Sequence, residues 1–81
     1  MKTIETIGIY KIENIINGKI YIGSSTRLLK RFKEHKRKLL NNTHINSILQ
    51  RSWNKYGEGA FMFSVIEYCE KKDIIKIYRR I

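Results

Sequence analysis

Apolar and polar positions alternate loosely over residues 6–14, and β-branched and aromatic side chains are frequent there, which predicts a strand. Asn17-Gly18 follows, the favoured pair for a two-residue type I′ turn with positive φ at both positions. Residues 19–23 then predict the returning strand of a hairpin. Ser24, Ser25 and Thr26 offer hydroxyls to cap a helix start. From Arg27 to about Leu40 the apolar residues are Leu28, Leu29, Phe32, Leu39 and Leu40. At roughly 100° per residue they fall within one third of a turn, which predicts an amphipathic helix. Asn41, Asn42 and Thr43 interrupt it, and a second helix is predicted from about residue 45 to 56, with Ile45, Ile48, Leu49, Trp53 and Tyr56 on one face. Gly57 and Gly59 end that helix. Residues 60–69 predict a third strand, Phe61, Phe63, Val65 and Glu67 alternating with Met62, Ser64, Ile66 and Tyr68. Residues 71–81 predict a short third helix using Ile74, Ile75, Tyr78 and Ile81. Strand, strand, helix, helix, strand, helix is an α+β order.

Eighty-one residues predict one domain, 1–81. No apolar run approaches the roughly 20 residues that span a bilayer, and Met1-Lys2-Thr3-Ile4-Glu5 lacks the apolar region of a signal peptide. The single Cys69 has no internal disulfide partner, so a reducing, cytoplasmic setting is expected rather than secretion. Seventeen Lys and Arg against seven Asp and Glu give a net charge of +10. In so small a chain that charge points to a polyanionic partner, with nucleic acid first, a membrane disfavoured and a monomer the default. Arg27, Lys30, Lys38 and Arg51 are the candidate phosphate contacts.

Two short words carry the candidate chemistry: Gly8-Ile9-Tyr10 and, ten residues on, Tyr21-Ile22-Gly23. Hairpin strands would bring two phenols close together. Taken singly, each tyrosine is an ordinary packing residue of a strand. A phenol serves as a base only where cations or a metal stabilise its anion, and this chain is rich in cations. On the first helix Arg31 and His35 stand one turn apart. His35 falls at the edge of the apolar stripe and Arg31 about 40° further out, so both can lean toward the sheet edge.

The two words, Ser24-Ser25, then Arg31, His35, His44, Leu49-Gln50-Arg51-Ser52, Trp53-Asn54-Lys55-Tyr56-Gly57 and residues 63–67 form one ordered set. That set resembles the GIY-YIG nuclease family over roughly residues 7–73, and most of all the catalytic domain of its homing endonucleases. The resemblance implies a three-stranded antiparallel sheet flanked by helices. It also implies cleavage of DNA phosphodiesters with one divalent ion, Mg2+ or Mn2+, and no small-molecule cofactor. By position it implies that Tyr10 or Tyr21 helps deprotonate water, Arg31 stabilises charge on phosphate, His35 assists, and His44 fills a further active-site place. Gly23, and in the same way Gly8, would let backbone pack behind the site, with Ser24 beside it.

One departure is plain. The family's metal-binding glutamate falls near Arg79, in a segment with no glutamate, Lys72-Asp73-Ile74-Ile75-Lys76-Ile77-Tyr78-Arg79-Arg80-Ile81. Glu70 and Asp73 are the nearest substitutes in sequence, and neither sits at the family position. The chain therefore reads as a degenerate or C-terminally truncated copy, a piece of a longer enzyme, or an enzyme with a different carboxylate. The alternative to an endonuclease is a basic DNA-binding module of the same fold that cuts weakly or not at all.

Overall fold

The computed structural model describes residues 6–81. The segment Met1-Lys2-Thr3-Ile4-Glu5 lies outside them. Strands β1 (Gly8–Asn14), β2 (Ile20–Ser25) and β3 (Phe61–Tyr68) alternate with helices α1 (Leu28–Leu40), α2 (Ser47–Tyr56) and α3 (Ile74–Arg80) in the order β1-β2-α1-α2-β3-α3. Short 3-10 turns at Glu58–Ala60 and Lys71–Asp73 lead into β3 and α3. The sheet is antiparallel with β1 in the middle, in the order β2-β1-β3.

Partners directly opposite in a sheet share a face. Tyr10 pairs with Gly23 and Val65, and Ile12 with Tyr21 and Phe63. These residues therefore line one face, against which Leu28 and Leu39 of α1 and Leu49 and Trp53 of α2 are buried. The other face carries fully buried Ile9, and α3 packs there on β1 and β2, where the Tyr78 hydroxyl donates to the Ile22 carbonyl at 3.3 Å.

Four local expectations give way. The hairpin turn is not a two-residue type I′ turn: Gly18 has φ +77°, but Asn17 is not in the positive-φ region. Residues 15–19 form a longer loop organised by Asn14, whose buried side-chain oxygen accepts from the N–H groups of Ile16 at 2.9 Å and Asn17 at 3.4 Å. Its amide nitrogen donates to Ser52 on α2 at 3.2 Å. Nor do the hydroxyls of Ser24, Ser25 and Thr26 cap α1: Arg27 is the N-cap residue, without a side-chain cap, and the Leu28 N–H donates to the Thr6 carbonyl instead. Ser25 accepts from the Arg27 N–H just outside the helix.

The second helix starts two residues later than expected, at Ser47, behind an N-cap at Asn46 whose side chain accepts from Ile48 and Leu49 N–H. Ile45 is consequently left in the loop, 92% exposed, and Ile48 turns out to solvent, while Gln50 is buried in its place. Leu29 and Leu40 are likewise exposed, so the buried stripe of α1 is narrower than its apolar pattern.

Candidate active site

The first word of the motif lies on the central strand and the second on its neighbour, and the register joins them at one pair, Tyr10 with Gly23. Tyr10 lies across Gly23. A Cβ at Gly23 would run into the Tyr10 hydroxyl and ring. Gly8 has a different reason: a Cβ there would meet the Glu67 carbonyl of β3. Tyr10 is buried, its ring edge-on to Phe32 of α1 with centroids 5.4 Å apart.

That packing aims the phenol at α1. The Tyr10 hydroxyl and His35 Nε2 are 2.6 Å apart. The other nitrogen of the ring, His35 Nδ1, is 2.7 Å from His44 Nε2, and the two imidazoles stack at 5.0 Å between centroids. His44 sits in the loop before α2. Its N–H donates to Gln50 Oε1 at 3.0 Å, and Gln50 in turn donates to the Leu39 carbonyl at 2.9 Å, tying that loop to both helices.

Arg31, one turn before His35, lies against the same phenol. The neighbouring Tyr10 phenol is the first cause that holds its guanidinium above the usual arginine value, opposed by partial burial and supported by Glu34 at 3.2 Å. Burial is the first cause pushing His35 down to about 4, followed by Arg31, His44 and Lys38. His44 is lowered as well, by burial and then by Lys38 and Arg31, with the Asn46 backbone acting the other way. Both imidazoles are therefore neutral at pH 7. A neutral imidazole carries one N–H, so each ring can pass a hydrogen bond from one side to the other.

Tyr10, Arg31, His35 and His44 thus come together. Tyr21 shares the face of Tyr10 but lines a neighbouring cleft of about 200 Å³ with Lys19, Arg51, Lys55 and Tyr56. Arg27, Lys30 and Arg31 line a second cleft of about 220 Å³ with Ser25 and Glu34. Lys38 is half-buried near the histidines. Ser24 pairs with Ile9, on the face opposite Tyr10, and is not part of this group. Sequence reading missed Glu34 and Asn46, which lie outside the motif words, and gave Gln50, which lies within one, no role of its own. The one available signal was Asn46 just ahead of the apolar positions of α2, a capping position.

A hard divalent ion needs several oxygen ligands. Among the described residues no three His, Cys, Asp or Glu side chains gather to hold one. Glu70 pairs with Lys72 at 3.5 Å, and Arg79 is exposed near the end of α3. The donor set does not fit a metal ion.

Residues 6–79 match the model of the GIY-YIG catalytic domain. The chain is 42% identical over 69 residues to "Intron-associated endonuclease 1" of Enterobacteria phage T4, covering 84% of this chain and 28% of that protein. It is 39% identical over 61 residues to "Probable intron-encoded endonuclease 1" of Neurospora crassa, covering 75% of this chain and 19% of that one. This chain therefore spans under a third of either relative. Among solved structures, the catalytic domain of homing endonuclease I-TevI superposes with a TM-score of 0.82 at 38% identity, covering 91% of this chain and 82% of that one. A point mutant of the same catalytic domain gives 0.79 at 40% identity, covering 89% and 75%.

Proposed function

Because the chain belongs to the GIY-YIG catalytic-domain family, we propose that it is a DNA endonuclease domain that hydrolyses phosphodiester bonds at the face of Tyr10, Arg31, His35 and His44. The observation that carries this reading is the run of contacts from Tyr10 through His35 to His44, with the Arg31 cation beside the phenol. Relatives named as intron endonucleases support it.

Each group has a chemical task. A guanidinium stabilises the charge that builds on phosphate oxygens as a nucleophile arrives, and Arg31 is the cation at this site. A phenol takes a proton only in its anionic form, and the adjacent guanidinium attracts that anion. Tyr10 is therefore the group that receives the proton of the attacking water, with His35 hydrogen-bonded behind it. Tyr21, Lys19, Arg51 and Lys55 line the neighbouring cleft, which gives the nucleic-acid backbone a cationic path toward the site. Arg27 and Lys30 extend that path on the other side. The domain would work as a monomer on cytoplasmic DNA without a small-molecule cofactor. Mg2+ or Mn2+ is the ion its family leads one to expect. Because the donor set here does not fit one, the ion enters the test and no step above.

The missing carboxylate cluster favours a second reading, a basic module that grips DNA without cutting it. Supercoiled plasmid incubated with Mg2+, with Mn2+ or with chelator separates the two. The endonuclease reading expects nicking, and Arg31→Ala reduces it by about 10²–10³ while DNA binding persists. A wild-type chain that binds yet never nicks, beside an Arg79→Glu variant that does, establishes the second reading.

A further inference from the structure

The main-chain N–H of Asn46 donates to His44 Nδ1 at 3.0 Å. An amide can only donate, so Nδ1 of His44 has no proton in this arrangement. From this juxtaposition we infer that the Asn46 amide sets the direction of the whole Tyr10–His35–His44 chain and makes Asn46 a positioning residue of the active site.

The direction follows link by link. His44, neutral and without a proton on Nδ1, carries it on Nε2 and donates to His35 Nδ1 across 2.7 Å. His35, neutral and already accepting at Nδ1, carries its proton on Nε2 and donates to the Tyr10 oxygen across 2.6 Å. Arg31 stands beside that oxygen as a cation. The Tyr10 oxygen thus accepts from His35, and its own proton stays outside the chain, free to leave to solvent and give the phenolate that takes the proton of water. The reverse chain has Tyr10 donating to His35, His35 to His44, and His44 Nδ1–H into the Asn46 carbonyl, the one arrangement in which the Asn46 backbone would raise His44; the 3.0 Å amide contact at Nδ1 opposes it. It commits the phenol's own proton to the bond with His35 and leaves the phenol oxygen without that imidazole donor. The charged groups facing the imidazoles are Arg31, Lys38 and Glu34, and burial first, then the two cations, keeps both rings neutral at pH 7. Asn46 has a second duty, since its side chain caps α2, so the two contributions need separating.

The inference rests on the endonuclease reading for its functional meaning, but its test does not use cleavage. Long-range ¹H–¹⁵N correlation spectra of the histidine side chains, recorded on the intact chain near pH 7.5, report which nitrogen of each ring is protonated. The expected result is an Nε2–H tautomer at both His35 and His44. Asn46→Ala removes the cap but keeps the amide, and both tautomers persist. Asn46→Pro removes both; the backbone φ of −82° lies near the range a proline ring imposes, and the Nε2–H preference at both rings is lost. If that variant does not fold, the wild-type and alanine spectra decide. An Nδ1–H tautomer at either ring in the wild type overturns the inference. Nδ1–H with plasmid nicking intact leaves the endonuclease reading standing. Nε2–H at both rings with no nicking in any metal does the reverse.

Discussion

Tyr10 and Gly23 are the two residues on which the site geometry turns. The ring of Tyr10 occupies the space over β2 where a Cβ at position 23 would stand. Gly23→Ala therefore pushes the phenol off its position over α1 and costs about 1–3 kcal/mol, as overpacking does in a filled core. Thermal unfolding checks it, with a fall of about 4–8 °C for each kcal/mol in a chain of this size. His35 offers a second test at this scale. Its imidazole is lowered from 6.5 to about 4, mainly by burial. Between those values the unfolded chain binds a proton that the folded one refuses, so stability is full above about pH 6.5 and falls as pH drops toward 4. Denaturation at pH 7.5 and at pH 5 shows the loss, and a His35→Gln, His44→Gln double variant shows a smaller one.

The secondary elements were largely legible from periodicity, because alternation in the strands and the 3.6 period in α1 and α2 reflect real burial on one face. Their ends were not. Ile45 and Ile48 fit an apolar stripe, yet Asn46 captures the Ile48 and Leu49 N–H groups and starts α2 at Ser47, which leaves both isoleucines outside the core. Asn17-Gly18 promised a tight turn, yet the side chain of Asn14 satisfies the loop N–H groups and makes a longer connection the stable one. Short-range propensity does not see a buried side-chain acceptor. Asn14→Leu is accordingly expected to cost about 1–3 kcal/mol, since it strands loop donors and Ser52. Chemical denaturation measures it. The catalytic candidates were legible for a different reason: Tyr10, Arg31, His35 and His44 form an ordered motif, and the strand register and helix turn bring Tyr10, His35 and His44 within hydrogen-bond reach, with Arg31 one turn away. Ser24 belongs to the same run of sequence, but strand alternation sends it to the other face.

At the scale of the whole molecule the surplus of ten positive charges sets how the domain meets a polyanion. If Arg27, Lys30, Lys38 and Arg51 each neutralise one phosphate, as proposed, the expected log–log salt slope on duplex DNA is about −3.6. Fluorescence anisotropy across a salt series measures that slope, and Arg51→Ala flattens it by about 0.9. The back of the molecule is quieter: α3 rests on the sheet with none of its residues fully buried. That helix is also the one on which the family resemblance places Arg79 near an expected carboxylate. The vacant side chain at position 23 reaches further. An aromatic ring on one strand has borrowed the volume that its neighbour forgoes, so the two halves of the signature are a single steric contract written twice. Neither half can drift alone. A lineage that keeps the first tyrosine must also keep the bare backbone opposite, even after it has ceased to cut anything.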